Sequence, residues 1–242
     1  MPPISLHPAT NPHDPLLLSR LETHVFHNDA FSDLAFGPHR ESEESILARA
    51  RVLGKNMGVG DEEGGGRRWR WRYVKAVSGE DVVGFAAWGV GGVDGDADVE
   101  EGGEKGGEGN SGSEEETAWG VGANVRFCED TLVWADEEMV KSCAGKDYAK
   151  LYVLVVSPEY QRQGIGSLLL AEGLGKVDEL GLQCVLGASP EGVELYRRFG
   201  FEEVAARELK LWEYEGGEGM GVTRHCELPL LVERGRERET WV

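Results

Sequence analysis

The chain has 242 residues, enough for one domain with a sizeable core or for two small ones. Its 44 Asp and Glu outnumber 25 Lys and Arg, and a formal charge of -19 excludes a general nucleic-acid binder, whose phosphate contacts need clustered cations. Apolar content of 40% fits a globular protein, no apolar run nears the ~20 residues of a membrane helix, and the first residues lack a secretory signal's basic and apolar segments. No nucleic-acid or membrane partner is therefore expected, and the expected location is cytoplasmic or nuclear. Cys128, Cys143, Cys184 and Cys226 show no CxxC spacing, so they read as reduced thiols rather than metal ligands.

Taken in chain order, Ile4 to Pro8 reads as a short strand, and Asp14 can cap a helix running to about Asn28 with Leu17, Leu18, Leu21 and Val25 inward. Ser42 starts a second helix that buries Ile46, Leu47 and Ala50. After a glycine and acid connection from Gly58 to Gly66, Arg67–Val77 and Asp81–Val90 read as strands joined by Ser78-Gly79-Glu80. Arg67 to Tyr73 alternates cations with Trp69, Trp71 and Tyr73. Strand alternation sends rings and arginines to opposite faces, which favours a half-buried strand over a stacking platform for nucleic acid.

Residues 91–118 hold ten Asp or Glu against one Lys among many glycines, too little apolar surface to offset ordering, so this acidic insert is expected to be disordered. A helix from about Val125 to Ser142 follows, and then the most informative stretch, Leu151 to Leu170. Its valine-rich run is a buried strand ended by Pro158. Leu170, Leu174, Val177 and Leu180 then mark one face of a helix that Gly181 can terminate. Leu182 to Leu186 is a second strand, and Pro190 opens a short helix closed by Gly200-Phe201. A strand reaches about Trp212, residues 215–221 are a loop, and Thr223 to Val232 is the last strand before a charged tail at 233–242. His24 and His27, three apart on the first helix, read as surface residues without metal spacing.

The turn between the Val-rich strand and the next helix gathers unpaired N–H groups, the positive end of a helix dipole and Arg162, which together make an anion site. No window supplies the Walker spacing, and the dinucleotide fingerprint fails because Leu169 stands at its third glycine. What stands there, Gln161-Arg162-Gln163-Gly164-Ile165-Gly166, resembles the Gln/Arg-x-x-Gly-x-Gly/Ala signature of the GNAT acyltransferase superfamily. Leu195-Tyr196 followed by Gly200-Phe201 is similar to that family's second hallmark, Leu-Tyr-x-x-x-Gly-Phe.

The resemblance implies an α/β fold: one GNAT-like domain over residues 1–242, with a mixed, mostly antiparallel sheet, a splayed central parallel pair and flanking helices. It implies acetyl-CoA as co-substrate, no metal, and an amine acceptor that is a small molecule or a peptide. Carried onto this chain, Leu154, Val155 and Val156 offer backbone groups to the pantetheine arm. Gln161, Arg162, Gln163, Gly164, Ile165, Gly166 and Ser167 cradle the pyrophosphate, and Ser189 stands where many members have a cofactor-contacting asparagine. Tyr196 is the implied general acid for the departing thiolate, against the plainer reading of a ring packed under the cofactor.

The expected activity is N-acetyl transfer to a primary amine by direct attack in a ternary complex. The alternatives are a catalytically weak acyl-CoA-binding module with a regulatory or interaction role, and an unrelated phosphate-binding α/β protein. The general base is not legible. Tyr152 to Val156 contains no acid, Cys184 and Gly187 stand where carboxylates could have been, and Glu129, Asp130 and Glu137 read as a solvated helix face.

Overall fold

The computed structural model describes residues 2–57, 71–91, 116–117 and 119–230. In chain order they form β1 (Ile4–Pro8), α1 (Asp14–Val25), α2 (Ala30–Phe36), α3 (Glu43–Met57), β2 (Trp71–Ser78) and β3 (Asp81–Gly91). A minimal hairpin, Glu116–Thr117 with Gly120–Val121, precedes α4 (residues 125–142), whose middle widens into a π turn at Glu129–Val133. Then come β4 (Tyr148–Val156), α5 (Ile165–Glu179), β5 (Gln183–Ala188), α6 (Val193–Arg198), β6 (Ala205–Lys210) and β7 (Val222–Leu230). The connection at 58–66, the cations and ring at Arg67 to Arg70, most of the acidic insert and the tail at 233–242 lie outside the described residues.

Seven strands make one sheet in the order β1-β2-β3-β4-β5-β7-β6. Every pairing is antiparallel except β4 with β5. This is the mixed sheet with a central parallel pair that the sequence led one to expect. Alternation along the strands divides the core between its faces. On one face Trp88, Leu151, Leu186 and Leu228 pack against Leu169, Leu170 and Leu174 of α5 and Tyr196 and Phe199 of α6. On the other, Tyr73, Phe85, Ala87 and Val155 meet Leu18 and Leu21 of α1, and Val185 meets Ala135 and Met139 of α4.

The alternation expected near residue 71 holds where it is described. Trp71 and Tyr73 stack 6.1 Å apart on the α1 face, while Arg72 on the opposite face is paired with Glu172 of α5. A second ion pair, Lys75 Nζ to Asp14 Oδ1 at 2.6 Å, ties β2 to α1. Asp14 is therefore not the expected cap: its buried carboxylate binds Lys75 and the Thr10 amide instead. Leu17 and Leu47 are 51% and 37% exposed, so both turn outward rather than into the core, and Leu180, just past α5, is exposed as well.

α2 is a helix that periodicity did not reveal, because at seven residues it is shorter than two full turns of pattern. Its visible signal is Asp29, whose carboxylate accepts the Ser32 N–H at 2.8 Å. The disorder expected over 91–118 is wrong at the edges, since Gly91 closes β3 and Glu116–Thr117 pairs with Gly120–Val121.

α5 lies close against β3 at Gly173. A Cβ on Gly173 would overlap the indole of Trp88, a ring with no exposed surface. Gly173→Ala must then push α5 off the sheet, and overpacking of this kind costs about 1–3 kcal/mol. We expect a lower urea midpoint with an unchanged slope; an unchanged midpoint would mean that Trp88 moves aside freely.

Candidate active site

The central strands diverge in mid-course. β4 and β5 pair from Tyr148↔Gln183 to Leu151↔Leu186 and no further. Beyond that point β4 remains paired with β3 as far as Val156↔Gly84, and β5 remains paired with β7 through Gly187↔Glu227 and Ala188↔Cys226. Tyr152 is an extra residue on β4, because Val153 faces Ala87 and Leu151 faces Trp88. Such a bulge bends the strand and adds twist, which carries Tyr152–Val156 away from β5. A wedge opens with a free backbone edge on its β4 side.

Which groups line that edge follows from strand alternation. The Ser157 amide donates to the Val83 carbonyl at 2.8 Å, so Ser157 faces β3, and so does Val155 two residues earlier. The Val155 carbonyl lies within 2.8 Å of where a Gly84 Cβ would be. Leu154 and Val156 therefore turn their N–H and C=O into the wedge, and Val155 does not. Val155 is the correction to the expected backbone trio: its polar groups serve the β3 ladder and its side chain fills the α1-side core.

At the mouth of the wedge the strand ends at Pro158, and Gly164 takes a φ of 84°, a left-handed conformation that suits glycine. Arg162 is also left-handed, with φ 62°. The Gln161 side chain donates to the Val156 carbonyl at 3.1 Å, and that of Gln163 donates to the Glu159 carbonyl. The first bond of the next helix runs from the Leu168 amide to the Gly164 carbonyl at 3.0 Å. The amides of Ile165, Gly166 and Ser167 have no helical acceptor and point out of the positive end of a 15-residue helix. A Cβ on Gly164 would meet nothing within 4 Å, so the turn is open on that side.

Gly166 is where three elements converge. A Cβ there would meet Leu195 of α6 at 3.3 Å and Leu154 of β4 at 3.6 Å. The turn, the free edge of β4 and α6 thus share one corner. Tyr196, the next residue on α6, is 7% exposed and packs edge to face on Phe201 with centroids 5.9 Å apart. Burial, helped by nearby Cys184, raises its pKa well above the ordinary phenol value, so the hydroxyl keeps its proton at neutral pH. Ser189 is exposed at the end of β5, and its carbonyl accepts the amides of Gly192 and Val193 that start α6.

The other face of the wedge holds what the sequence did not reveal. Glu227 is 0% exposed, and neither carboxylate oxygen has a hydrogen-bond partner. His225 on the same strand brings Nε2 to 3.5 Å from Glu227 Oε1. Both lie over Gly187, whose absent side chain makes room: a Cβ there would stand 2.6 Å from His225 Nε2 and 3.4 Å from Glu227 Oε2. Gly187, where the sequence has no carboxylate, is covered by a carboxylate from its neighbour β7. Cys184 lies on the opposite face, in the α5 and α6 core. Asp130 accepts from the Tyr214 hydroxyl and Glu137 pairs with Lys141, so neither helix acid serves the wedge.

Burial pushes the Glu227 carboxyl up to about 8, with Asp136 and Glu138 of α4 adding to the rise and Lys150 of β4 opposing it. Lys150 Nζ is held by Asp136 at 2.6 Å and sits 4.2 Å from the Tyr152 ring centroid. Burial lowers the His225 pKa, with Asp136 opposing. At neutral pH the pair is thus a carboxylic acid beside a neutral imidazole rather than a salt bridge. His24 and His27 are surface groups beside Glu159 and Glu41, and no group of metal-binding side chains occurs among the described residues. The four cysteines are buried and form no disulfide.

Residues 129–211 match the family model described as the acetyltransferase (GNAT) domain, a stretch that holds the wedge, the turn and Tyr196 and stops short of β7. No curated protein matches the chain. Among solved structures it is similar to Drosophila melanogaster polyamine N-acetyltransferase, with 13% identity, a TM-score of 0.61, and 95% of this chain and 100% of that one covered. A mosquito arylalkylamine N-acetyltransferase-like protein gives 18% identity and a TM-score of 0.58, covering 94% of this chain and 100% of its own. A GNAT-family acetyltransferase from Streptococcus pneumoniae gives 13% and 0.55, covering 96% and 100%. The chain has the GNAT fold.

The raised Glu227 pKa has a consequence for stability. Between its ordinary value of 4.5 and about 8, the folded chain holds a proton that the unfolded chain has lost. Stability therefore falls as pH rises through that window and levels off above it. Glu227→Gln removes this dependence, so its Tm relative to the parent should increase from pH 5 to pH 8. Parallel Tm curves would mean that Glu227 ionises normally.

Proposed function

We propose that the chain is an acetyl-CoA-dependent N-acetyltransferase that acts on a primary amine by direct attack within a ternary complex. The observation that carries this reading is the edge of Leu154 and Val156 that no strand pairs in the wedge, which ends at the glycine turn and first amides of α5. An extended amide chain can add to such an edge as an extra strand does, and the pantetheine arm is one. Its pyrophosphate then falls on the amides of Ile165, Gly166 and Ser167, near Arg162. Ser189, at the tip of β5, is within the same end of the sheet and offers a hydroxyl to the cofactor. Holding amine and thioester together removes much of the entropic barrier to attack.

Tyr196 supplies a proton to the sulfur as negative charge develops on it. Its raised pKa suits the role in one respect, since the phenol enters the reaction protonated. The match over residues 129–211 and the fold both support acetyl transfer as the reaction class. The acceptor is a small amine or a peptide amine.

Isothermal calorimetry with acetyl-CoA tests the first half of this reading. Gly164→Asp adds a side chain and a negative charge to the turn, and affinity should fall more than tenfold with the fold intact. Unchanged affinity would remove the turn from the cofactor site. Coenzyme A release with a polyamine, an arylalkylamine, a lysine peptide and a peptide α-amine tests the second half. Tyr196→Phe should keep affinity and slow turnover by roughly 10²-fold. Tight acetyl-CoA binding with no transfer to any amine would leave a cofactor-binding module and contradict the enzyme.

A further inference from the structure

We propose that His225 and Glu227 act as one proton acceptor for the attacking amine, with the partly exposed His225 ring meeting the nitrogen and Glu227 beside its Nε2 setting the charge of the pair. This rests on the reading of the wedge as the acetyl-transfer site. Neither residue lies in the 129–211 stretch that matches the acetyltransferase domain.

The geometry is specific. β7 continues the sheet beside β5, and Gly187↔Glu227 is the register pair one step past the last β4–β5 pairing at Leu186. Glu227 therefore stands level with the start of the wedge, on the face opposite Tyr196's core. His225 side-chain exposure is 23% while Glu227 has none, so only the imidazole can meet a ligand. Its Nε2 lies over Gly187, 3.5 Å from Glu227 Oε1, and a side chain at 187 would collide with it. Phe31 of α2 stacks on the ring, with centroids 5.9 Å apart and planes 21° apart, and fixes its orientation.

A buried carboxylate with no hydrogen-bond partner is costly, and structures keep one where its proton affinity is used. Asp14, the other fully buried acid among the described residues, holds Lys75 of β2 at 2.6 Å. Glu227 has instead an imidazole 3.5 Å away. Asp136 and Glu138 on α4 and Lys150 on β4 face the pair. Arg207, the register partner of His225 on β6, is turned to the Asp130 carbonyl and the Trp134 ring.

The proton count closes. An alkylammonium, with an ordinary pKa of about 10.4, gives one proton to the pair and becomes a neutral amine. Nitrogen attacks the thioester carbonyl, the C–N bond forms and the C–S bond breaks. The second nitrogen proton goes to the sulfur by way of Tyr196, so amide and thiol leave neutral. The pair then returns its proton to solvent. The competent form is the pair without its shared proton, which is why its apparent pKa governs the rate.

The experiment is the pH dependence of kcat for the fastest amine of the panel above, on the parent, Glu227→Gln, Glu227→Asp and His225→Gln. The parent should show a rising limb centred near the 8 of Glu227. Glu227→Gln should move that limb below the ordinary imidazole value of 6.5 and slow turnover, while Glu227→Asp restores part of both. His225→Gln should lower kcat by about 10²-fold with acetyl-CoA affinity unchanged. A limb unmoved by Glu227→Gln, or a His225→Gln enzyme as fast as the parent, overturns the proposal and leaves the acetyltransferase reading standing. A parent that transfers acetyl to no amine overturns both.

Discussion

Past Leu151 and Leu186 the two central strands stop hydrogen-bonding to each other, and each is kept in the sheet by its outer neighbour. The rest of the site depends on that release. Exposed backbone polar groups inside a fold are expensive unless something pairs with them. Here the divergence is built in rather than accidental. Tyr152 is inserted as a bulge, Gly187 carries no side chain to hold β4, and β7 binds the far side of β5. The helices then complete the wedge. α5 starts at its mouth because Pro158 ends the strand and Gly164 can take a left-handed turn, and α6 closes the corner through Leu195.

Electrostatics divides the two faces of the wedge. The α5 and α6 face is largely apolar, and Tyr196 near the corner is held in the protonated form by burial. The opposite face carries Asp136, Lys150, His225 and Glu227, and the rings of Tyr152 and Trp71 lie tilted against each other with centroids 4.7 Å apart. A protonated phenol on one side and a carboxyl–imidazole pair on the other match the donor and acceptor that the proposed acyl transfer to an amine needs. The acidic balance of the chain as a whole does not produce this arrangement, since most of the carboxylates among the described residues are exposed and the exposed pairs they form contribute little.

Much of this was legible in the chain before any coordinates. The valine run, Pro158, the paired glycines and the Leu-Tyr-x-x-x-Gly-Phe pattern are local signals, and they gave the wedge strand, the turn and α6 their places. The face of Arg72 against Trp71 and Tyr73 followed from period two alone. What could not be read was non-local. Val155 looks the same as its neighbours in sequence, and only the register with β3 decides which way its carbonyl points. α2 is too short to show a period, and Leu17 and Leu47 turn outward because the helix pair α1 and α3 buries a narrower stripe than their composition suggests. Glu227 is one of 44 acids, and nothing near it in the chain marks it. Its place over Gly187 comes from the pairing of β7 with β5, a contact between residues forty apart. The usable hint was Gly187 itself, since a glycine inside a buried strand marks close approach by another group.

The central claim is that the outward backbone groups of Leu154 and Val156 receive acetyl-CoA. Amide hydrogen exchange followed by NMR on the free and acetyl-CoA-saturated protein measures this residue by residue. The account predicts that Leu154 and Val156 gain protection on binding, together with Ile165, Gly166 and Ser167. Val155, already bonded to β3, should not change. Binding that leaves Leu154 and Val156 as exchangeable as before would contradict it.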